Sequence, residues 1–254
     1  MPLLDVRQVS KRFGGVAALN HIDMNVLEGE IVGLIGPNGA GKTSFFNCVT
    51  GLTRIDEGEI FFKEGAVRLD KLASHSIVKC GIARTFQNLR IFKNMTLLDN
   101  VAVGFHTRAK AGLLDAFFST RRRQVEEKRI FSQSLSLLEF AGLSGKGNEI
   151  SANLCYGDQK RLEIARALAC SPKLLLLDEP VAGMNPTEKE EISRLIEKIR
   201  RQGISILLIE HDMKVVMPLS DRIIVMDEGK KIAEGKPNEI QKNENVIKAY
   251  LGEV

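Results

Sequence analysis

A chain of 254 residues with 44% hydrophobic content is long enough to fold as one large α/β domain or as a core carrying an inserted subdomain. Its 36 basic and 32 acidic residues leave a formal charge of +4, a small excess that falls short of a nucleic-acid-binding footprint. The four cysteines, Cys48, Cys80, Cys155 and Cys170, stand singly without metal-ligand spacing, which argues against a disulfide framework, and no apolar run approaches the roughly 20 residues of a membrane span.

The start MPLLDVRQVSKRF lacks the apolar core of a signal peptide, so a cytoplasmic chain is expected, one able to dock on a membrane protein from that side. Short β-like runs through LLDVRQVSKRF and HIDMNVLEGE predict strands, and Ile31 to Ile35 reads as a buried strand. Directly after it, GPNGAGKT over Gly36 to Thr43 fits GxxxxGK[ST], a phosphate loop placed between a strand and a helix. Gly36, Pro37, Asn38, Gly39, Ala40, Gly41, Lys42, Thr43 and Ser44 are the candidate phosphate cradle, with Lys42 reaching the terminal phosphates and the Thr43 hydroxyl ligating Mg²⁺. The following helix is expected to end near Gly51, and EGEIFF reads as a further strand.

Gln87, in ARTFQNL, offers a neutral amide able to touch both metal and water. From about Thr96 to Gly147 strand signals vanish, and Phe131, Leu135 and Leu138 fall at helical spacing, so a helical insertion is expected. The stretch SANLCYGDQKRLEIARAL runs through one glycine, Gly157, into a helix with Leu162, Ala165, Leu168 and Ala169 on one buried face, stopped by Pro172. It has the layout of an anion-binding helix start but no lysine at its tip. Read alone it is a packing helix whose Lys160, Arg161 and Arg166 form a solvated basic face; read with the phosphate loop it is half of a site that closes over a nucleotide held by another copy.

LLLLDEP places Asp178 and Glu179 at the end of an apolar strand, where ligands gather in parallel sheets. Asp178 is the candidate metal ligand through its water shell, and Glu179 the candidate to orient or deprotonate an attacking water. His211 follows the run ISILLIE at an equivalent strand end and is a candidate hydrogen-bond donor to the γ-phosphate or to Glu179. Alternation of these strands with the helical stretch TEKEEISRLIEKIRRQG predicts a parallel sheet, and the tail NEIQKNENVIKAYLGEV reads as one short terminal helix.

Five motifs in this order, GPNGAGKT, TFQN, NLCYGDQKRLEIARAL, LLLLDEPVAGMNP and LLIEHD, resemble those of the nucleotide-binding subunits of ABC transporters. The resemblance implies an α/β P-loop NTPase fold: a RecA-like parallel core with an N-terminal antiparallel portion over residues 1–94 and 156–238, a helical subdomain over 95–155 and a C-terminal helix over 239–254. It implies that two such subunits sandwich ATP and Mg²⁺, with Phe13 stacking on adenine and Cys155, Tyr156, Gly157 and Asp158 closing over the partner's nucleotide. Gln87 and His211 then match the switch residues, Glu179 the catalytic base, and Ala182 to Pro186 the contact with the partner. The chain departs from the usual LSGGQ at Cys155, Tyr156 and Asp158, and Asn185 replaces the usual aspartate. EHDMKVVM, SDRIIVMDEG and AYLGE further resemble ATPases of branched-chain amino-acid importers. That branch implies a second ATPase subunit, two integral membrane permeases, an extracytoplasmic solute-binding protein, a place on the inner face of the cell membrane, and no nucleic-acid partner. The segment NLRIFKNMTLLDNV and the insert near Phe117 and Phe118 are then the expected permease docking elements. Urea import, lipopolysaccharide export and a soluble ATPase acting on nucleic acid or ribosomes remain as alternatives.

Overall fold

The computed structural model describes residues 2–63, 65–106 and 121–251, and groups the chain into two compact units, Met1–Arg84 with Lys173–Val254, and Thr85–Pro172. The expected docking residues Phe117 and Phe118 lie outside the described residues.

In the first unit, β1 (Leu4–Phe13), β2 (Val16–Val26), β4 (Glu57–Phe62) and β5 (Val67–Arg68) form an antiparallel sheet in the order β2-β1-β4-β5. The second sheet runs β10-β9-β3-β8-β7-β6, from β3 (Ile31–Ile35), β6 (Ile82–Arg84), β7 (Leu174–Asp178), β8 (Ser205–Ile209), β9 (Arg222–Asp227) and β10 (Lys230–Gly235). It is parallel except for the β9–β10 pair at its edge. Every residue of β3, β7 and β8 is buried, which is why IVGLI, LLLLD and SILLI read as near-continuous apolar runs rather than alternating ones.

The helix α1 (Lys42–Val49) anchors in the core of this unit through the fully buried Phe45 and Phe46, and α2 (Ser74–Cys80) precedes β6. In the second unit lie α3 (Leu97–His106), α4 (Arg121–Phe140) and α5 (Tyr156–Ala169). Back in the first, α6 (Pro186–Arg201) buries Ile192, Leu195, Ile196 and Ile199, one stripe at helical spacing whose members each contribute about 2 kcal/mol on burial. It is followed by α7 (Met213–Leu219), α8 (Pro237–Ile240) and α9 (Glu244–Leu251).

Three features differ from the sequence reading. The C-terminal stretch holds two helices rather than one, because the Asn243 side chain accepts hydrogen bonds from the Asn245 and Val246 amides and starts α9 afresh. The helical unit extends beyond 95–155 to Thr85–Pro172 and takes in α5, which packs on α3. Gly104 permits that approach, since a Cβ there would meet the Arg166 carbonyl oxygen at 2.5 Å and the Ala169 Cβ at 2.6 Å. Lys160, read from sequence as part of a solvated basic face, is 1% exposed.

Candidate active site

Parallel pairing brings three strand ends together in the first unit. Leu34 of β3 pairs with Ile209 of β8, and Ile209 pairs with Asp178 of β7, so the loop at Gly36, the carboxylates at 178 and 179 and the segment at His211 emerge from one sheet edge. That edge is the carboxyl end of the parallel strands, where open α/β sheets bind ligands.

From β3 the chain turns directly into α1. Gly36 has no room for a side chain, because a Cβ would lie 2.0 Å from the Met226 carbonyl oxygen. The N-cap of α1 is Gly41, in the left-handed region at φ +99°, and it brings no side-chain cap. The first-turn amides of α1 therefore face the loop mouth with the helix dipole behind them, an arrangement suited to an anion. Thr43 in that turn is exposed, and Ser44 beside it is half-buried like Lys42. Lys42 folds across the loop, donating from Nζ to the carbonyl oxygens of Gly36 at 2.7 Å and Pro37 at 2.9 Å. Burial lowers its pKa, opposed by the carboxylates of Glu179 and Asp178.

Asp178 is 1% exposed, and its Oδ2 accepts from Arg84 Nη2 at 2.7 Å. The same guanidinium donates to Asn47 Oδ1 at 2.7 Å and lies 5.3 Å from the centre of the Phe46 ring. Glu179 adopts φ +48°, a strained conformation for a non-glycine residue, and its amide donates to the Ile209 carbonyl oxygen at 2.9 Å. The Nδ1 of the exposed His211 lies 4.0 Å from Glu179 Oε2, beyond hydrogen-bond distance but within reach of a small side-chain adjustment. At the end of β1, Phe13 is 50% exposed, with Lys11 Nζ 5.5 Å from its ring centre.

One contributor was not singled out from the sequence. Glu210, fully buried, accepts from the Val181 amide at 3.0 Å and from the His211 amide at 3.1 Å, tying the segment after Glu179 to the histidine loop. Burial raises its pKa and these amides pull it back down. Its signal was an acidic residue closing the otherwise apolar strand run ISILLI, since a buried carboxylate needs donors. Asn185 caps α6: its Oδ1 accepts from the Glu188 amide and its own amide donates to Glu188 Oε2, both at 3.0 Å, with Pro186 at the first helical position.

The second unit holds the remaining candidates. Gln87 is exposed, and its carbonyl oxygen accepts from Lys160 Nζ at 3.2 Å. Cys155 is the N-cap of α5 without a side-chain cap, and Cys155 and Tyr156 are exposed while Gly157 and Asp158 are buried. The Asp158 carboxylate is engaged within the unit, at 2.5 Å from Lys146 Nζ and 3.3 Å from Arg161 Nη1, and raises the pKa of Lys146. Among the described residues no group of three His, Cys, Asp or Glu side chains forms a metal cluster.

Comparison with known proteins extends this geometry. A family model described as ABC transporter matches residues 19–182, and one described as branched-chain amino acid ATP-binding cassette transporter matches residues 230–254. The chain is 45% identical over 253 residues, 99% of itself and 98% of the relative, to the high-affinity branched-chain amino acid transport ATP-binding protein LivG of Salmonella typhimurium. Among solved structures it is similar, at 30% identity and TM-score 0.86 with both chains covered fully, to the ADP conformation of an ATP-binding cassette of an ABC transporter. A dimeric cassette in a post-hydrolysis state bound to ADP and Pi is similar at 26% identity and TM-score 0.78, covering 92% of this chain and 98% of the other.

Proposed function

The chain belongs to the ATP-binding subunits of ABC transporters, in the branch that serves branched-chain amino acids, and from that premise we propose how its residues hydrolyse ATP to drive uptake of leucine, isoleucine and valine. The observation that carries the reading is the pairing of two anion-suited helix starts in one chain. The one at Gly36–Ser44 has a lysine; the one at Cys155–Gly157 has none at its tip.

In this reading Phe13 stacks on adenine, the amides of Gly39 to Ser44 wrap the phosphates and Lys42 contacts the terminal two. Glu179 takes a proton from the water that attacks the γ-phosphorus while the bond to the ADP oxygen breaks, and His211 and Gln87 hold the γ-phosphate and that water in line. The donor set suits Mg²⁺, which keeps several waters and needs only one or two protein ligands beside phosphate: Thr43 in the first turn of α1 and Asp178 at the strand end. When bound, the ion neutralises charge on the β- and γ-phosphates. Cys155, Tyr156 and Gly157 close over the nucleotide of a second ATPase subunit, chiefly through backbone amides because the N-cap position lacks the usual serine hydroxyl.

The partners are that second ATPase, two membrane permeases and, through them, an extracytoplasmic binding protein, with the subunit lying against the inner face of the membrane. No helix among the described residues is long and apolar enough to cross a bilayer. In the second unit Phe92, Met95, Phe131, Leu135 and Ile150 are exposed, supplying apolar area of the kind that permease docking needs. Affinity purification of the tagged chain from detergent-solubilised membranes should recover two permeases and a second ATPase. Recovery only as a soluble homodimer, or on ribosomes or DNA, would refute the transporter reading.

A further inference from the structure

Lys160 and Glu163, one helical turn apart on α5, are each 1% exposed, with Lys160 Nζ 3.6 Å from Glu163 Oε2. Two buried charges are costly to desolvate, and a packing helix has no need of them; apolar side chains of similar volume would serve it as well or better. Their remaining partners say what they do. Lys160 Nζ donates to the carbonyl oxygens of Phe86 at 3.0 Å and Gln87 at 3.2 Å. Glu163 Oε1 accepts from the amides of Phe86 and Arg90, both at 3.3 Å. Between these two amides the backbone makes a short loop, with the Arg90 guanidinium 4.2 Å from the Phe86 ring centre. The ion pair thus grips the segment that carries Gln87 by four backbone groups, all from the helix whose first turn follows Cys155.

The same segment is fastened further along. Asn100 Oδ1 accepts from the Phe92 amide at 2.9 Å, its Nδ2 donates to the Phe92 and Thr96 carbonyl oxygens, and Ser151 Oγ donates to the Phe92 carbonyl oxygen at 2.8 Å. At the end of β6, Arg84 is held to Asp178 and Asn47. Within three residues the chain passes from a side chain fixed beside the candidate catalytic carboxylates to a backbone fixed on α5.

We propose that Lys160 and Glu163 are positioning residues for hydrolysis: a buried ionic clasp that makes the Gln87 backbone move as one body with the helix that closes over the partner's nucleotide. A displacement of α5 then carries Gln87 with it instead of being absorbed by a slack loop, so closure on one nucleotide and placement of the glutamine amide for another become one event. Neither side chain reaches the reacting atoms in this scheme; both act through Gln87. The inference rests on the role given to Gln87 above.

The test is built on the double replacement Lys160→Met with Glu163→Leu, which removes both charges together and so strands neither in the interior. It is made in the full-length chain within the reconstituted transporter, alone and combined with Gln87→Ala. The expected result is a melting temperature within a few degrees of wild type and a Kd for a fluorescent ATP analogue within about two-fold, but a kcat reduced about ten-fold or more, because transition-state positioning rather than nucleotide binding is lost. In the Gln87→Ala background the same replacement should cost nothing further, since the two changes remove one interaction. Equal losses in both backgrounds, or a folded double variant with wild-type kcat, would overturn the clasp. If Gln87→Ala itself keeps wild-type kcat, the role of Gln87 falls, and the clasp is decided by amide exchange. Peptides covering residues 86–91 should then exchange about ten-fold faster in the double variant while β6 and β7 peptides stay unchanged, and unchanged exchange at 86–91 refutes it. Lys160→Gln with Glu163→Gln, which removes both charges but keeps polar groups that can still reach the loop backbone, should show the same changes in smaller measure and serves if the apolar double replacement does not fold.

Discussion

Replacing Arg84 with methionine should destabilise the first unit by about 3 kcal/mol, the lower end of what is lost when one partner of a buried ion pair is removed. Both side chains are almost fully enclosed, at 5% exposure for Arg84 and 2% for Asp178, so water cannot replace the missing guanidinium. Methionine fills much of the volume over the Phe46 ring but loses the guanidinium that lies there and its 2.7 Å hydrogen bonds to Asp178 and Asn47. The upper end of the range is not expected, because the Lys42 ammonium lies close enough to interact with the Asp178 carboxylate and keeps part of the field. A loss of about 3 kcal/mol is roughly a 150-fold change in the unfolding constant and is measurable by urea titration followed by circular dichroism. A double-mutant cycle isolates the pair: Arg84→Met with Asp178→Asn should recover about 2 kcal/mol relative to the sum of the single losses. A single loss below about 1 kcal/mol, or losses that add within about 0.5 kcal/mol, would refute the view that this pair fixes the orientation of Asp178.

Glu179→Gln should keep ATP affinity while lowering kcat at least about 100-fold, read by fluorescent-nucleotide titration beside phosphate release, because it removes only the proton acceptor. Gly104→Ala should cost about 1–3 kcal/mol in thermal or urea melts, since its Cβ would press on Arg166 and Ala169 across the α3–α5 contact. Asp212 pairs with Lys189 Nζ at 2.6 Å and caps α7 through the Lys214 amide, and the hydrogen bond from Lys189 holds its pKa below the ordinary 3.8. A depressed carboxylate pKa stabilises the fold above 3.8 and loses that contribution as the pH falls through the folded value. Asp212→Asn should therefore melt lower than wild type at pH 7, by about 1 kcal/mol or less for so exposed a pair, and the difference should close in acid.

The parallel core was legible because buried central strands leave long apolar runs, and each candidate catalytic group sits directly beyond one of them: Gly36 after IVGLI, Asp178 at the end of LLLLD, His211 after SILLI. The burial of Lys160 was not. A lysine at helical spacing beside Arg161 looks solvated, and what draws it inside is a set of backbone groups more than seventy residues upstream, the Phe86 and Gln87 carbonyls, that only the folded unit brings to it. Glu210 hid for a related reason, its donors being amides of Val181 and His211 that belong to two separate loops. The break between α8 and α9 rested on one side chain, Asn243, between two stretches that each form helix.

The consensus departures divide by the same physics. At 185 an amide replaces a carboxylate, yet both cap a helix through an acceptor oxygen, and the Asn185–Glu188 box is complete; that substitution changes charge at the segment the resemblance assigns to the partner contact, while the helix cap itself stays intact. At 155 a thiol replaces a hydroxyl at an N-cap, where sulfur accepts hydrogen bonds weakly, and no side-chain cap forms. The helix start itself is pinned by the burial of Gly157 and by the Asp158 pairs to Lys146 and Arg161. An uncapped, rigid helix start is a better site for an external anion than a capped one, because no side-chain cap has to be released before the phosphate arrives. On the role proposed for Cys155–Gly157, the backbone amides carry the contact, and Cys155→Ser should alter nucleotide-dependent dimerisation far less than Gly157→Pro, which removes a backbone donor outright.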